Sequence, residues 1–298
     1  VHSDKPAESP PTVAFGVADG VGGWTESGVD PADFAHGLCE YMSHTSLTHP
    51  QPSTLSAQRL LQSGFDLLSS PSSTVAAGGS TACIALLTAD GKLDLANLGD
   101  SGLLHLRLGS VHAATQPQLH AFNTPYQLAR IPAAMQKRNA AFGGEQLCDL
   151  PKDADVARGS VQAGDVLVVA SDGVWDNLDE GAVNRIVSQL MLGAGAWVDG
   201  GNGITASPEL THMIRGEEMP VSALNSRAKK DGGDETRLQS LQTFLAIGVT
   251  SAAKSASVNT KVDGPFAREV QKWYPEEAWH GGKVDDICVV VCVVVEDK

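Results

Sequence analysis

The stretch VADGVGGWTE, residues 17–26, follows the apolar run Val13-Ala14-Phe15-Gly16-Val17. A strand that closes on a carboxylate, Asp19, and then places glycine at 20, 22 and 23 has given up side chains for a reason. Either a tight turn forms there, or the backbone must come close to a ligand or metal. The pattern recurs. LANLGDSG (95–102) puts Asp100 after a strand, VLVVASDGVWD (166–176) puts Asp172 after another, and GGKVDDICVVV (281–291) puts Asp285 and Asp286 before the last. Taken singly, each is an ordinary turn signal. Repetition at strand edges favours a shared site: two unit charges about 4 Å apart repel by roughly 4 kcal/mol at an effective dielectric of 20. Converging carboxylates therefore take up protons or hold divalent cations. Hard oxygen ligands select Mg²⁺ or Mn²⁺, and a carboxylate-bound metal pair by itself serves phosphatases, nucleases and aminopeptidases alike.

Composition narrows the classes. Across 298 residues, 21 basic against 35 acidic side chains give a net charge of −14, an unfavourable field for a phosphate polyanion, so nucleic acid is a poor partner. The pair Lys229-Lys230, next to Asp231 in a polar stretch, reads as a solvated face. An apolar content of 42% is ample for a core. Five cysteines without a C-x-x-C pair favour a reducing compartment over a disulfide framework. Cys288 and Cys292, four apart in ICVVVCVVV, would share one face of a strand as buried thiols. No apolar run approaches the ~20 residues of a membrane helix.

Apolar runs at 13–18, 81–88, 93–98, 102–107, 166–170 and 287–295 predict strands. DPADFAHGLCEYM predicts a helix capped by Asp30, with Pro31 at its first position and Phe34, Leu38 and Tyr41 on one face. AQRLLQSGFDLLSS predicts a second, with Leu60, Leu61, Gly64, Leu67 and Leu68 inward. DEGAVNRIVSQLM predicts a third, capped by Asp179, with Val183, Ile186, Val187 and Leu190 inward. Strands in blocks with helices interposed in pairs imply an α+β class. Residues 46–56 and 69–79 read as surface loops, and 193–236 as a polar surface insertion within a single domain spanning 1–298.

The ordered blocks ADGVGGW, GGSTACIALL, ANLGDSGLLHLR, GDVLVVASDGVWDNL and KVDDICVVV, spread over nearly the whole chain, resemble the signature motifs of the metal-dependent PPM (PP2C-type) protein serine/threonine phosphatases. Within that family DGVGGW, GVDPADF and FNTPYQL are most similar to the mitochondrial branch linked to coenzyme Q biosynthesis, with the fungal 5-azacytidine-resistance proteins close by. The resemblance implies a four-layer αββα sandwich of two antiparallel sheets flanked by helices. It further implies two Mg²⁺ or Mn²⁺ ions at one end, with a weaker third. By motif match Asp19 bridges both ions and the carbonyl of Gly20 binds one. Asp172 and Asp285 complete the first-metal ligands, and Asp100 with Asp172 marks the third site. Asp286 stands where relatives often carry Asn and is the weaker candidate. Phosphoprotein substrates, among them coenzyme Q biosynthesis proteins, and a mitochondrial matrix location follow from resemblance alone.

With a metal-activated water, no side-chain nucleophile is needed, and the chain carries no G-x-S-x-G, H-E-x-x-H or Cys-x₅-Arg loop. Two departures stand out. Many relatives carry a His, a proposed general acid, where this chain has Val21. The family also has a strand before the first Asp-Gly motif with an acidic residue and often a phosphate-gripping arginine; VHSDKPAESPP does not resemble it, and Asp4 matches in name only. The first strand is thus expected to be missing. The rival readings are a pseudophosphatase that keeps the fold as a binding or regulatory module, and an unrelated Mg²⁺-dependent phosphodiesterase. None of the nine histidines is assigned to catalysis, and Trp24 and Trp175 are expected to pack beneath the site.

Overall fold

The computed structural model describes residues 12–49, 54–141, 147–215 and 240–296, with side chains omitted over 138–141. Asp4 and residues 216–236 of the expected insertion lie outside them. Eight strands form two main sheets: β1 (Thr12–Val17), β2 (Ala82–Thr88), β3 (Lys92–Leu98), β4 (Gly102–Arg107), β5 (Ser110–Ala114), β6 (Asp155–Ser160), β7 (Asp165–Ala170) and β8 (Val289–Val293). Among the described residues the five longest helices, apart from Ala133–Ala141, are α1 (Pro31–Thr48), α2 (Ala57–Ser69), α3 (Glu180–Gly193), α4 (Leu241–Ser257) and α5 (Pro265–Trp273). The chain divides into two compact units, one within Val1–Ser101 and Pro117–Val161, the other within Gly102–Gln116 and Gln162–Lys298. The architecture is α+β, as the residue pattern predicts.

In the first unit the antiparallel sheet runs β1-β2-β3-β6. Asp30 caps α1, its side chain accepting from the Ala32 amide at 3.0 Å, and Ser56 caps α2 through the Arg59 amide at 3.2 Å. The two helices lay Phe34, Leu38, Leu60, Leu61 and Leu68 onto Ile84 and Leu86 of β2 and Leu98 of β3. Each such side chain contributes about 1.5–3 kcal/mol by leaving water. Gly64 lets the helices approach, since a Cβ there would stand 2.4 Å from the Met42 side chain. Leu67, expected inward, is exposed: the buried stripe runs through 57, 60, 61, 64, 65 and 68, and 67 falls off its edge.

In the second unit the antiparallel sheet runs β8-β7-β4-β5. All six residues of β7 are buried, and alternate residues Val166, Val168 and Ala170 join Leu104 and Leu106 against Val183, Val187 and Met191 of α3 and Leu241, Leu245 and Val249 of α4. Part of the region expected to be a polar surface insertion is structured here. Trp197–Asp199 pairs with Ile204–Ala206 as a hairpin, a short helix spans Leu210–Arg215, and Trp197, Leu210 and Met213 are buried in the core. Trp197 also donates from Nε1 to the Gly164 carbonyl at 2.9 Å. Glycine-rich composition concealed these anchors. Cys288 is likewise exposed rather than buried, because β8 starts only at Val289. No disulfide joins the five cysteines, and no helix of the described residues is long and apolar enough to cross a membrane.

One end of the second sheet carries a buried ionic group. Asp165, fully buried, accepts from Arg107 Nε at 2.9 Å and Nη2 at 2.7 Å and lies 2.7 Å from His105 Nε2. Burial raises the Asp165 carboxyl, but Arg107, the Gln162 amide and His105 outweigh it and leave it below the ordinary carboxylate value. Burial lowers His105, only partly offset by Asp165. Both folded-state values are depressed, so both contributions are present at neutral pH. The His105 part is lost as pH falls below its ordinary 6.5, and the Asp165 part as pH falls below its ordinary 3.8. Asp165→Asn removes the buried negative charge that faces Arg107 and His105 and should cost about 3 kcal/mol in urea unfolding at pH 7, with a shallower loss of stability on acidification; an unchanged midpoint and pH slope would show the group to be idle.

Candidate metal centre

The register of the second sheet brings its candidate ligands to one edge. Ala170, the last residue of β7, pairs with Val289, the first of β8, and with Gly102, the first of β4. Residues just after 170 and just before 289 therefore share that edge. The chain leaves β7 into a single helical turn, Asp172–Trp175, whose Asp172 carbonyl accepts from the Asp176 amide at 2.7 Å. The four-residue spacing sets the Asp172 and Asp176 side chains on one face.

Two side chains of this segment fix the loop that enters β8. Ser171 accepts at Oγ from the Cys288 amide at 3.1 Å, donates from Oγ to the Asp286 carbonyl at 3.2 Å and from its own amide to the Cys288 carbonyl at 3.1 Å. Asn177, buried, donates from Nδ2 to the Lys283 carbonyl at 2.8 Å and accepts at Oδ1 from the Lys283 amide at 2.9 Å. Gly173 has to be glycine for contact reasons: a Cβ there would lie 2.2 Å from the Asp286 carbonyl oxygen.

These constraints gather Asp172, Asp176 and Asp285, each offering a carboxylate oxygen, with those oxygens within 4.8 Å of one another. Lys283 Nζ lies among them, 3.0 Å from Asp172 Oδ2, 2.6 Å from Asp176 Oδ2 and 3.0 Å from Asp285 Oδ2. One ammonium faces three carboxylates. Burial, together with Asp172 and Asp285, pushes Asp176 up to about 7 against the pull of Lys283. Burial disfavours the Lys283 charge, yet Asp176 and Asp172 outweigh it and hold the ammonium well above its ordinary value. A half-buried, all-oxygen donor set with excess negative charge suits a hard divalent cation. Asp286 is exposed and donates its amide to Asp285 Oδ1 at 2.8 Å.

The remaining candidates belong to the first unit. Val17 pairs with Cys83, and Cys83 with Asn97, so Asp19 after β1 and Asp100 after β3 emerge at the same end of that sheet. The Asp19 carbonyl accepts from the Thr81 amide at 2.9 Å and Ser80 Oγ at 2.8 Å, while Thr81 Oγ1 lies 2.8 Å from Ser101 Oγ. Thr81 thus ties both carboxylate turns together. At Gly20 a Cβ would meet the Pro31 carbonyl oxygen at 2.3 Å, whereas at Gly22 and Gly23 it would meet nothing. Gly99, just before Asp100, has φ of +99°, a conformation open to glycine. Trp24 is buried and donates from Nε1 to Gln127 Oε1 at 3.1 Å, and Trp175 donates to the Ala170 carbonyl at 2.9 Å; both pack as expected.

The structure thus brings together Asp172 and Asp285 as anticipated. Asp176, Asn177 and Lys283 went unassigned, although Asp176 stands four residues after Asp172 and Lys283 two before Asp285. Asn177→Ala leaves the Lys283 amide and carbonyl without their partner at a buried position and should cost about 2 kcal/mol in urea unfolding. A variant as stable as the parent would mean the clamp does not set this loop.

No family model matches the chain. The chain is 38% identical over 294 residues to the protein phosphatase PTC7 homolog fig of Drosophila mojavensis, covering 98% of this chain and 77% of that protein. It is 30% identical over 287 residues to the 5-azacytidine resistance protein azr1 of Schizosaccharomyces pombe, covering 95% and 77%. Among solved structures, that of the photosystem II phosphatase PBCP matches with a TM-score of 0.65 at 24% identity, over 96% of this chain and 92% of that one, a likeness of fold. Sequence identity at this level across most of both partners settles kinship: the chain belongs to the PTC7 branch of the PP2C-type (PPM) protein phosphatases.

Proposed function

We propose that the chain hydrolyses phosphoserine and phosphothreonine in proteins with the help of Mg²⁺ or Mn²⁺ bound by strand-end carboxylates. The observation that carries this reading is the cluster of Asp172, Asp176 and Asp285, whose oxygens lie within 4.8 Å of one another in a chain related to protein phosphatases. Asp172 and Asp285 would hold one ion. By resemblance to the family, Asp19, the Gly20 carbonyl and Asp100 would be further metal ligands. When bound, such cations supply a water that ionises near neutral pH and a counter-charge for the phosphoryl oxygens.

The protein's own contribution is placement. Ser171 and Asn177 hold the Asp285 loop against the turn carrying Asp172, so the ligands do not have to be ordered when substrate arrives. Val21 packs with the Trp24 cluster and carries no exchangeable side-chain proton, so it does not protonate the departing serine or threonine oxygen. Resemblance to the branch supports a mitochondrial matrix setting and substrates among coenzyme Q biosynthesis proteins.

The deciding measurement is phosphate release from a phosphoserine peptide. Activity should require Mn²⁺ or Mg²⁺ and vanish in EDTA. Asp172→Asn, by removing a ligand charge, should weaken Mn²⁺ binding and lower the rate by about 100-fold or more, in line with the loss of a main electrostatic contributor. Turnover untouched by chelation would refute the reading; Mn²⁺ binding without turnover would leave a binding module in its place.

A further inference from the structure

We propose that Lys283 is a resident cation of the Asp172–Asp176–Asp285 cluster, a tethered ammonium that holds a position against a divalent ion and so limits how many such ions the chain takes up or how tightly. The proposal rests on the metal-dependent reading above and adds a role for a residue to which that reading gives none.

The geometry distinguishes Lys283 from a surface lysine that happens to reach an acid. An exposed pair contributes little, about 0–1 kcal/mol, because water and salt screen it. Here the side chain is only 16% exposed and Nζ meets an oxygen of three separate carboxylates. Its approach is built in as well. Nζ lies 4.9 Å from the centroid of the Phe266 ring, which favours a cation, and Asn177 fixes the Lys283 backbone on both sides. The two preceding residues allow no side chain: a Cβ at Gly281 would stand 2.4 Å from the Asn259 carbonyl oxygen, and one at Gly282 2.1 Å from that of Ala256. The chain is thereby pressed onto the end of α4 and delivers Lys283 to the carboxylates. The Oδ2 atoms it occupies are donors of the kind a hard cation needs. One ammonium offsets a single charge, whereas a divalent ion would offset two, and the oxygens cannot serve both fully.

Replacing Lys283 by methionine keeps the length of the side chain and removes its charge. In calorimetric titration of EDTA-stripped protein with Mn²⁺, Lys283→Met should bind at least about tenfold more tightly than the parent, or take up an additional ion per chain, since a unit charge at such range shifts binding by that order. It should also melt below the parent in EDTA and recover in Mn²⁺. Parent-like or weaker Mn²⁺ binding by the variant, with normal binding by the parent, would overturn the proposal and leave the metal reading intact. Absence of Mn²⁺ uptake by both would overturn the metal reading and this proposal with it. Should Lys283→Met not fold, Lys283→Gln is the second variant. Neutral variants that fold only with Mn²⁺ would support the exchange of ammonium for metal, and neutral variants that fold in neither condition would overturn it.

Discussion

Three carboxylates with oxygens inside 4.8 Å of one another repel strongly, and that repulsion is the constraint around which the second unit is arranged. A chain left to relax would splay them apart. Three carboxylates minus one ammonium leave an excess of negative charge even with Lys283 in place. What resists relaxation is hydrogen bonding and close backbone approach: the single turn after β7, the Ser171 and Asn177 hydrogen bonds across to the loop before β8, and the absence of a side chain at Gly173. The valine-rich strands on either side provide the anchorage, because β7 is wholly buried and its register with β4 and β8 aligns their ends. Core packing and site electrostatics are thus joined at residues 170–172 and 285–289.

Much of this is legible in sequence for a simple physical reason. Buried strands are written as runs of Val, Leu, Ile and Ala, and these runs fall within a residue or two of the observed elements. Asp30 and Asp179 announce helix starts because short acidic side chains satisfy free amides there, and both do so in the structure. Asp172 and Asp285 were readable because Asp interrupts an apolar run. Asp176, Asn177 and Lys283 were harder. Their significance lies in partners more than a hundred residues away, which no local pattern encodes. The helix 241–257 follows the same logic in reverse. Its buried residues recur every four positions, yet Thr243, Gly248, Val249 and Thr250 are weak helix formers, and only packing, such as Gly248 against Leu190, fixes the outcome. Trp197 and Leu210 show how averaging over a polar, glycine-rich window conceals single large anchors.

The first unit solves a related problem with smaller means. Asp19 and Asp100 follow different strands, yet one hydroxyl-bearing pair, Ser80 and Thr81, meets the carbonyl of the one and the residue after the other. Gly20 and Gly99 stand at the two turns for different reasons, the former because Pro31 leaves no room, the latter because its backbone is left-handed. Phosphatase kinship gives these turns a meaning that turn chemistry alone does not.

The reciprocal pairing of Asn177 with Lys283 has a consequence for motion. Since one side chain grips both the amide and the carbonyl of the same distant residue, the turn at 172–177 and the loop at 283–286 cannot slide independently; they behave as a single hinge-free block. Local fluctuations that open one must open the other, so amide exchange at residues 283 and 288 should report the integrity of both halves of the block at once.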